Sequence, residues 1–217
     1  MNTSLTQRFV VLALDGDGNF ATKEAKPCTV ACALFELASD GFVKVARDND
    51  KVRCEAQLPV SQRDLLPVYD YVEQHRVVDA DELLEHMLGE GFTPFMASVC
   101  DPLREAGLLV TDKSETTFVP SPDARKEIVD HVVRALDGDE PMKRDDAALL
   151  AFIDGAGLAD DVFGREERRN IKELLKDQKW DSFKFATTPE GKDTFVSAWN
   201  DVEKVYAPIV REYVAKH

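Results

Sequence analysis

No apolar run in this chain approaches the ~20 residues that a membrane-crossing helix needs, and no basic start precedes an apolar run at its first residues. Positive charge is also scarce. The 217 residues carry 27 Lys and Arg against 41 Asp and Glu, a net charge of −14. Phosphate backbones are held by a surplus of Lys and Arg, so this balance excludes a general nucleic-acid binder. It equally disfavours adsorption of the whole surface to an anionic bilayer. A local basic patch remains able to do either job. Cysteine is limited to Cys28, Cys32, Cys54 and Cys100, and histidine to His75, His86, His131 and His217. Cys28 and Cys32 stand one turn apart, but Cys54 and Cys100 add no second zinc pair. The expectation is therefore four core thiols in a reducing cytoplasm. Glu82 and His86 lie one turn apart without the second histidine of a metalloprotease motif. Nucleophile elbow, phosphate-binding glycine loop and dinucleotide fingerprint are all missing. The sequence thus points to no catalytic residues, no cofactor and no metal, and to a non-enzymatic protein.

What is present is helix. The chain is 44% hydrophobic, and a chain of this length buries roughly 70% of its unfolded surface. Apolar spacing predicts helices over Leu5–Leu14, Pro27–Ser39, Leu65–Glu73, Asp81–Leu88, Thr93–Ala106 and Pro122–Leu136. Pro102 is expected to kink or interrupt the fifth of these. Two hairpins are predicted by alternation, Phe42–Val45 with Lys51–Cys54 and Leu108–Val110 with Thr116–Val119. Asp15, Asp17 and Asn19 resemble the start of a calcium loop. However, Phe20 and Lys26 occupy the positions where that loop needs Gly and Glu, so a tight turn is expected. Helix, helix and hairpin is also the order of a winged helix. The helix that would read DNA carries Asp101 and Glu105 against Arg104, which opposes that reading.

Residues 145–179 form the organising stretch. Ala147, Leu149, Leu150, Phe152, Ile153 and Ala156 cover most of one helix with apolar surface, which predicts a central buried helix with Asp145 as its N-cap. The acidic pairs Asp145-Asp146 and Asp160-Asp161 read as helix-end residues favoured by the helix dipole. A second helix begins near Arg165. Arg165, Arg168, Arg169 and Lys172 share one broad face of it, the one locally basic face in an acidic protein. Guanidinium groups so arranged suit phosphate or carboxylate recognition. They equally suit a solvated face laced with Glu166, Glu167 and Glu173. After Pro189 comes one long helix with a heptad seam of Phe195, Trp199, Val202, Tyr206, Ile209 and Tyr213, bent near Pro208. The seam packs either along its own domain or as a homo-oligomer contact through Phe195, Trp199, Val202 and Tyr206.

Four blocks carry a family resemblance: LTQRFVVLALDGDG from Leu5, ACALFELASDGF from Ala31, PLREAGLLV from Pro102 and LLAFIDGAGLADDVFGREERRNIKELL from Leu149. In order and spacing the chain resembles the Golgi phosphoprotein 3 family, including its bacterial members. The resemblance implies a mainly α, single compact helical domain with small β-hairpins, here two of them over residues 1–185, and the long C-terminal helical extension over 186–217 reads as an addition to that core. It implies no enzymatic activity. Eukaryotic members bind phosphatidylinositol 4-phosphate as peripheral membrane adaptors. Placed without gaps, the residues of their phosphate pocket fall near Ala21, Val30, Thr93 and Met96, and none of these retains the side chain needed. The membrane-inserting hairpin falls near residues 160–165, which here are short and acidic. The expectation is a cytoplasmic binding module. Any peripheral membrane contact would use Arg165, Arg168, Arg169 and Lys172 on an anionic headgroup. The alternative is a soluble protein–protein adaptor that self-associates through its C-terminal helix.

Overall fold

A helix with apolar side chains on every face must be surrounded by other elements, and three such helices organise this molecule. The structure, a computed structural model, describes residues 3–46, 50–111, 117–164, 171 and 188–217. α1 (Leu5–Ala13) is buried over its whole length, α2 (Ala25–Ser39) over most of its length, and α7 (Arg144–Gly155) from Asp146 to Ile153. Their rings interlock. Phe152 of α7 meets Phe9 of α1 edge-on at 6.2 Å and Phe35 of α2 at 5.9 Å, and Tyr206 closes on Phe35 at 5.4 Å. Each such pair contributes about 0.5–1.5 kcal/mol beyond the area it buries. The fold is mainly α, as the sequence implied.

The two ends of α1 show how polar groups are accommodated in this core. Ser4 Oγ accepts from the Gln7 amide, and Gln7 Oε1 accepts from the Ser4 amide. This reciprocal cap satisfies two donors that helix geometry leaves over. Glu36 Oε2, from α2, accepts from the Thr6 amide at 3.0 Å and from the Thr6 hydroxyl at 2.8 Å. At the far end, Arg125 of α6 (Pro122–Leu136) donates through Nη1 to the carbonyls of Val11, Leu12 and Leu14. A carboxylate at the start and a guanidinium at the finish both suit the helix dipole.

Around this core lie α3 (Leu66–His75), α4 (Ala80–Leu88) and α5 (Phe92–Glu105). Both predicted hairpins form. β1 (Val43–Val45) pairs antiparallel with β2 (Lys51–Cys54), and β4 (Leu109–Thr111) with β5 (Phe118–Pro120). A two-residue strand, β3 (Val78–Asp79), adds to β2 and gives the sheet order β1-β2-β3. Pro102 does not interrupt α5. It falls in the last turn, so the helix continues to Glu105 with one carbonyl, that of Ser98, deprived of its i+4 donor. Asp145 is not the N-cap of α7. Lys143 holds that position, and the Asp146 carboxylate accepts from its amide at 3.3 Å.

The segment Asp15–Asn19 is a tight turn. Asp15 Oδ1 accepts from the amides of Asp17 and Asn19, each at 2.9 Å, and the Asn19 bond leads the causes that lower its carboxyl pKa. Gly18 in this turn has φ +78°, and a Cβ there would meet the Thr117 methyl and lie 2.6 Å from the Phe118 carbonyl oxygen. Glycine is required here both by the left-handed backbone and by the closeness of the second hairpin.

A short helix, α8 (Ala159–Val162), follows α7, and the C-terminal run is α9 (Pro189–Asp201), a π-turn (Val202–Tyr206) and α10 (Ala207–Lys216). Pro208 offers no amide to the Lys204 carbonyl and its ring would crowd that carbonyl, so the wider turn just before it relieves the strain. The seam faces inward. Phe195 is 0%, Trp199 6%, Val202 2% and Tyr206 5% exposed, and α9 lies along α7. Those four residues therefore pack in the core of their own protomer, the first of the two placements open to the seam.

Candidate functional site

The two sequence segments onto which the family's phosphate-pocket positions were placed meet at one corner. There α2 begins beside the link between α4 and α5. Phe20 packs against Phe92 at 6.1 Å, and the Ala21 amide donates to the Ala13 carbonyl. Lys26 Nζ sits 3.9 Å above the Phe92 ring and donates to the Leu88 carbonyl at 3.4 Å. Of the four placed positions, Ala21 and Thr93 are exposed, whereas Val30 and Met96 point into the core at 0% and 7% exposure. A phosphate monoester is gripped best by guanidinium forks. This corner brings two phenyl rings and one ammonium that already has a ring and a carbonyl for partners. Sequence reasoning placed the four positions but missed Phe20, Lys26 and Phe92. These residues meet only in three dimensions.

A second polar cluster joins α1, α6 and α7. Arg8 Nη1 bonds Asp146 Oδ1 at 2.6 Å, with the Asp146 side chain fully buried and that of Arg8 10% exposed. His131 of α6 places Nε2 3.2 Å from the same oxygen and Nδ1 2.7 Å from Glu140 Oε2, and Arg134 Nε donates to Glu140 Oε1. Burial pushes the neighbouring Asp145 carboxyl up, while Arg8 acts against that shift. The Arg134 hydrogen bond holds the Glu140 carboxyl below the ordinary range. Asp146 meets no solvent, so its role is to hold Arg8, His131 and the start of α7 together. Breaking a buried pair by removing one partner costs about 3–5 kcal/mol.

Glu36 is the other buried carboxyl, raised from 4.5 to about 7 by burial, with the two Thr6 hydrogen bonds opposing. Asp64, which accepts from Ser4 Oγ at 3.0 Å, is also raised by burial. Both carboxylates are engaged at the start of α1. The thiols of Cys28, Cys32 and Cys100 are equally closed off, and burial pushes Cys28 and Cys100 up to about 12, whereas Cys54, expected in the core with them, is only half-buried at the end of β2. Thiols held neutral in this way are core groups and poor nucleophiles. Among the described residues no group of three or more His, Cys, Asp and Glu is arranged to hold a metal.

Several open clefts interrupt the surface. One of about 400 Å³ between α4 and α10 is lined by Asp79, Asp81, Glu82, Glu85 and Glu212. Lys51 pairs with Asp79 at 2.7 Å and Lys216 with Asp81 at 2.5 Å. Another, of about 190 Å³, lies between α2, β1 and the π-turn, with Lys44, Arg144 and Asp201 among its walls. The basic positions Arg165, Arg168, Arg169 and Lys172 lie outside the described residues, so the structure places none of them.

No helix among the described residues is long and apolar enough to cross a membrane. Among curated proteins none matches the chain. A family profile described as Golgi phosphoprotein 3 (GPP34) matches residues 5–215. That span takes in the helices after Pro189. With a mainly helical fold of the expected order and a match over nearly its whole length, the chain belongs to the Golgi phosphoprotein 3 family.

Proposed function

We propose that this chain is a non-enzymatic binding module, a peripheral adaptor that reaches anionic headgroups by local charge and not through a shaped phosphate pocket. Family membership supports a module of this kind. The observation that carries the finer reading is the corner at Phe20, Lys26 and Phe92. Ala21, Val30, Thr93 and Met96 supply no cationic group, and Lys26 already has partners. A headgroup contact then falls to the cationic stretch Arg165, Arg168, Arg169 and Lys172. The protein would work in the cytoplasm and visit the membrane surface, since a net charge of −14 repels the remainder of its surface from an anionic bilayer.

Co-sedimentation with liposomes containing phosphatidylinositol 4-phosphate, across a salt series, tests this reading. The wild type should bind at low salt and release as salt rises, and Arg168→Ala/Arg169→Ala should lose binding. Absence of wild-type binding at low salt would remove the membrane role and leave a soluble adaptor. A self-associating form of that adaptor is not favoured, because Phe195, Trp199, Val202 and Tyr206 are buried in the protomer.

A further inference from the structure

His131 stands between two carboxylates, and both of its ring nitrogens are engaged. Nε2 lies 3.2 Å from Asp146 Oδ1, and Nδ1 lies 2.7 Å from Glu140 Oε2. A neutral imidazole has one N–H and one lone pair, so it donates to only one of two such oxygens. The second proton is not supplied by a carboxyl. Asp146 Oδ1 also accepts from Arg8 Nη1, Asp146 Oδ2 accepts from the Lys143 amide, and Glu140 Oε1 accepts from Arg134 Nε. The Arg134 hydrogen bond also holds the Glu140 carboxyl below its ordinary range. Both acids are therefore carboxylates, and the ring completes both bonds only as an imidazolium.

The two carboxylates differ in what can replace the ring. The Asp146 side chain is fully buried, so no water takes the place of a lost donor, whereas that of Glu140 is 35% exposed and can turn to solvent. Glu140 belongs to the connection between α6 and α7, which leaves α6 at Asp137 and is anchored again by the buried Met142. The amides of Asp139 and Glu140 both donate to the Arg134 carbonyl, at 2.9 and 3.3 Å. Other charges reach this cluster from each element around it. Arg8 of α1 lies 3.9 Å from Asp145 of α7, and Asp130 and Glu127 of α6 act on the neighbouring Arg134. Arg8 and Arg134 oppose a charge on the ring, and the surrounding carboxylates favour it.

We infer that His131 is a pH-sensitive latch on the α6–α7 connection. At acidic pH the imidazolium bridges Asp146 and Glu140 and holds residues 137–141 against the end of α6. When the ring gives up a proton, the one that remains stays on Nε2, because the buried Asp146 oxygen has no solvent to turn to. Nδ1 then presents a lone pair to Glu140 Oε2. The two repel, and Glu140 moves out to water with the connection that carries it. Histidine is the side chain whose ordinary charge change falls between about pH 5 and 8, and protonated histidines serve as switches of this kind. The bond to Glu140 exists only with the charged ring. Its contribution is therefore present at low pH and lost as pH rises through the titration of the ring. The latch is independent of the lipid reading, and failure of liposome binding leaves it standing.

The test uses the full chain and two readouts between about pH 5.5 and about pH 8.5, either side of the histidine range. Nitrogen NMR of the imidazole should show both ring nitrogens of His131 protonated at the acidic end and Nε2 alone at the alkaline end. Amide exchange is expressed as protection relative to an unstructured chain, which cancels the pH dependence of exchange itself. The Asp139 and Glu140 amides should lose about ten-fold or more of their protection across the interval, as a local opening requires. Glu36 titrates at about 7, so the exchange is repeated in Glu36→Gln, where the loss should persist. Glu140→Gln alters a half-exposed side chain and should leave the two amides with nearly the same protection at both ends. His131→Gln should do the same, with thermal melting as the check that it folds, and Glu140→Gln carries the test if it does not. Constant protection in the wild type or an Nδ1 without its proton at the acidic end would overturn the latch. So would a pH dependence that Glu140→Gln leaves unchanged or that Glu36→Gln removes.

Discussion

The Arg8–Asp146 cluster and the cleft along β1 both bring a guanidinium against a carboxylate at short range, 2.6 Å in the first and 2.7 Å in the second. Their surroundings differ. Asp146 is fully buried, whereas Arg144 and Asp201 are 39% and 23% exposed. In the first place water is excluded, and each charge depends on its partner. In the second, solvent screens the pair and substitutes for either member. Similar residue pairs therefore serve different ends, fold in one case and surface chemistry in the other, and substitution separates them.

The largest effect should come from the buried side. Asp146→Ala strands Arg8 and His131 and should cost about 3–5 kcal/mol in chemical denaturation. A loss below about 1 kcal/mol, the level of an exposed pair, would mean that Asp146 is not the anchor described. Glu36 comes next, with a pH signature. Its folded carboxyl titrates at about 7 against an ordinary 4.5, so the folded state holds the proton more tightly than the unfolded one. Stability should then fall as pH rises through that window. Glu36→Gln retains an oxygen for Thr6 and removes the penalty. Its advantage over wild type should be near zero at pH 4 and grow to at most roughly 3 kcal/mol at pH 8. A pH-independent difference would show that folding leaves the Glu36 carboxyl at its ordinary pKa. Arg144→Ala, on the exposed side, should change stability by less than about 1 kcal/mol. A larger loss of stability would place Arg144 with the buried charges.

Much of this was legible in the sequence, because helix periodicity and the four family blocks are local signals. The central burial of Leu149, Phe152 and Ile153 follows from apolar residues on all faces. The hairpins follow from alternation, and the core placement of Cys28 and Cys100 from the absence of zinc spacing. The illegible parts are those that depend on distance in space. The two residues of β3 are too few to show a period, and their pairing with β2 is a tertiary event. The seam of Phe195, Trp199, Val202 and Tyr206 was legible as apolar, but sequence does not state which surface covers it. Here that surface is α7. Likewise Lys26 and Phe92 are far apart in the chain, so only the fold shows the ammonium above the ring. Asp145 and Asp146 are adjacent and alike on paper, yet a single helical step of about 100° makes the second a buried ion-pair partner and leaves the first 48% exposed.

We propose that the family fold persists here without the family's headgroup pocket and that membrane contact is governed by charge alone. Flotation with two vesicle compositions of equal surface charge, one carrying phosphatidylinositol 4-phosphate and one phosphatidylserine, tests it most directly. The account predicts equal binding to both, lost together in Arg168→Ala/Arg169→Ala. Selective binding to phosphatidylinositol 4-phosphate that survives the double substitution would contradict it, and would return the headgroup to the corner of Phe20, Lys26 and Phe92.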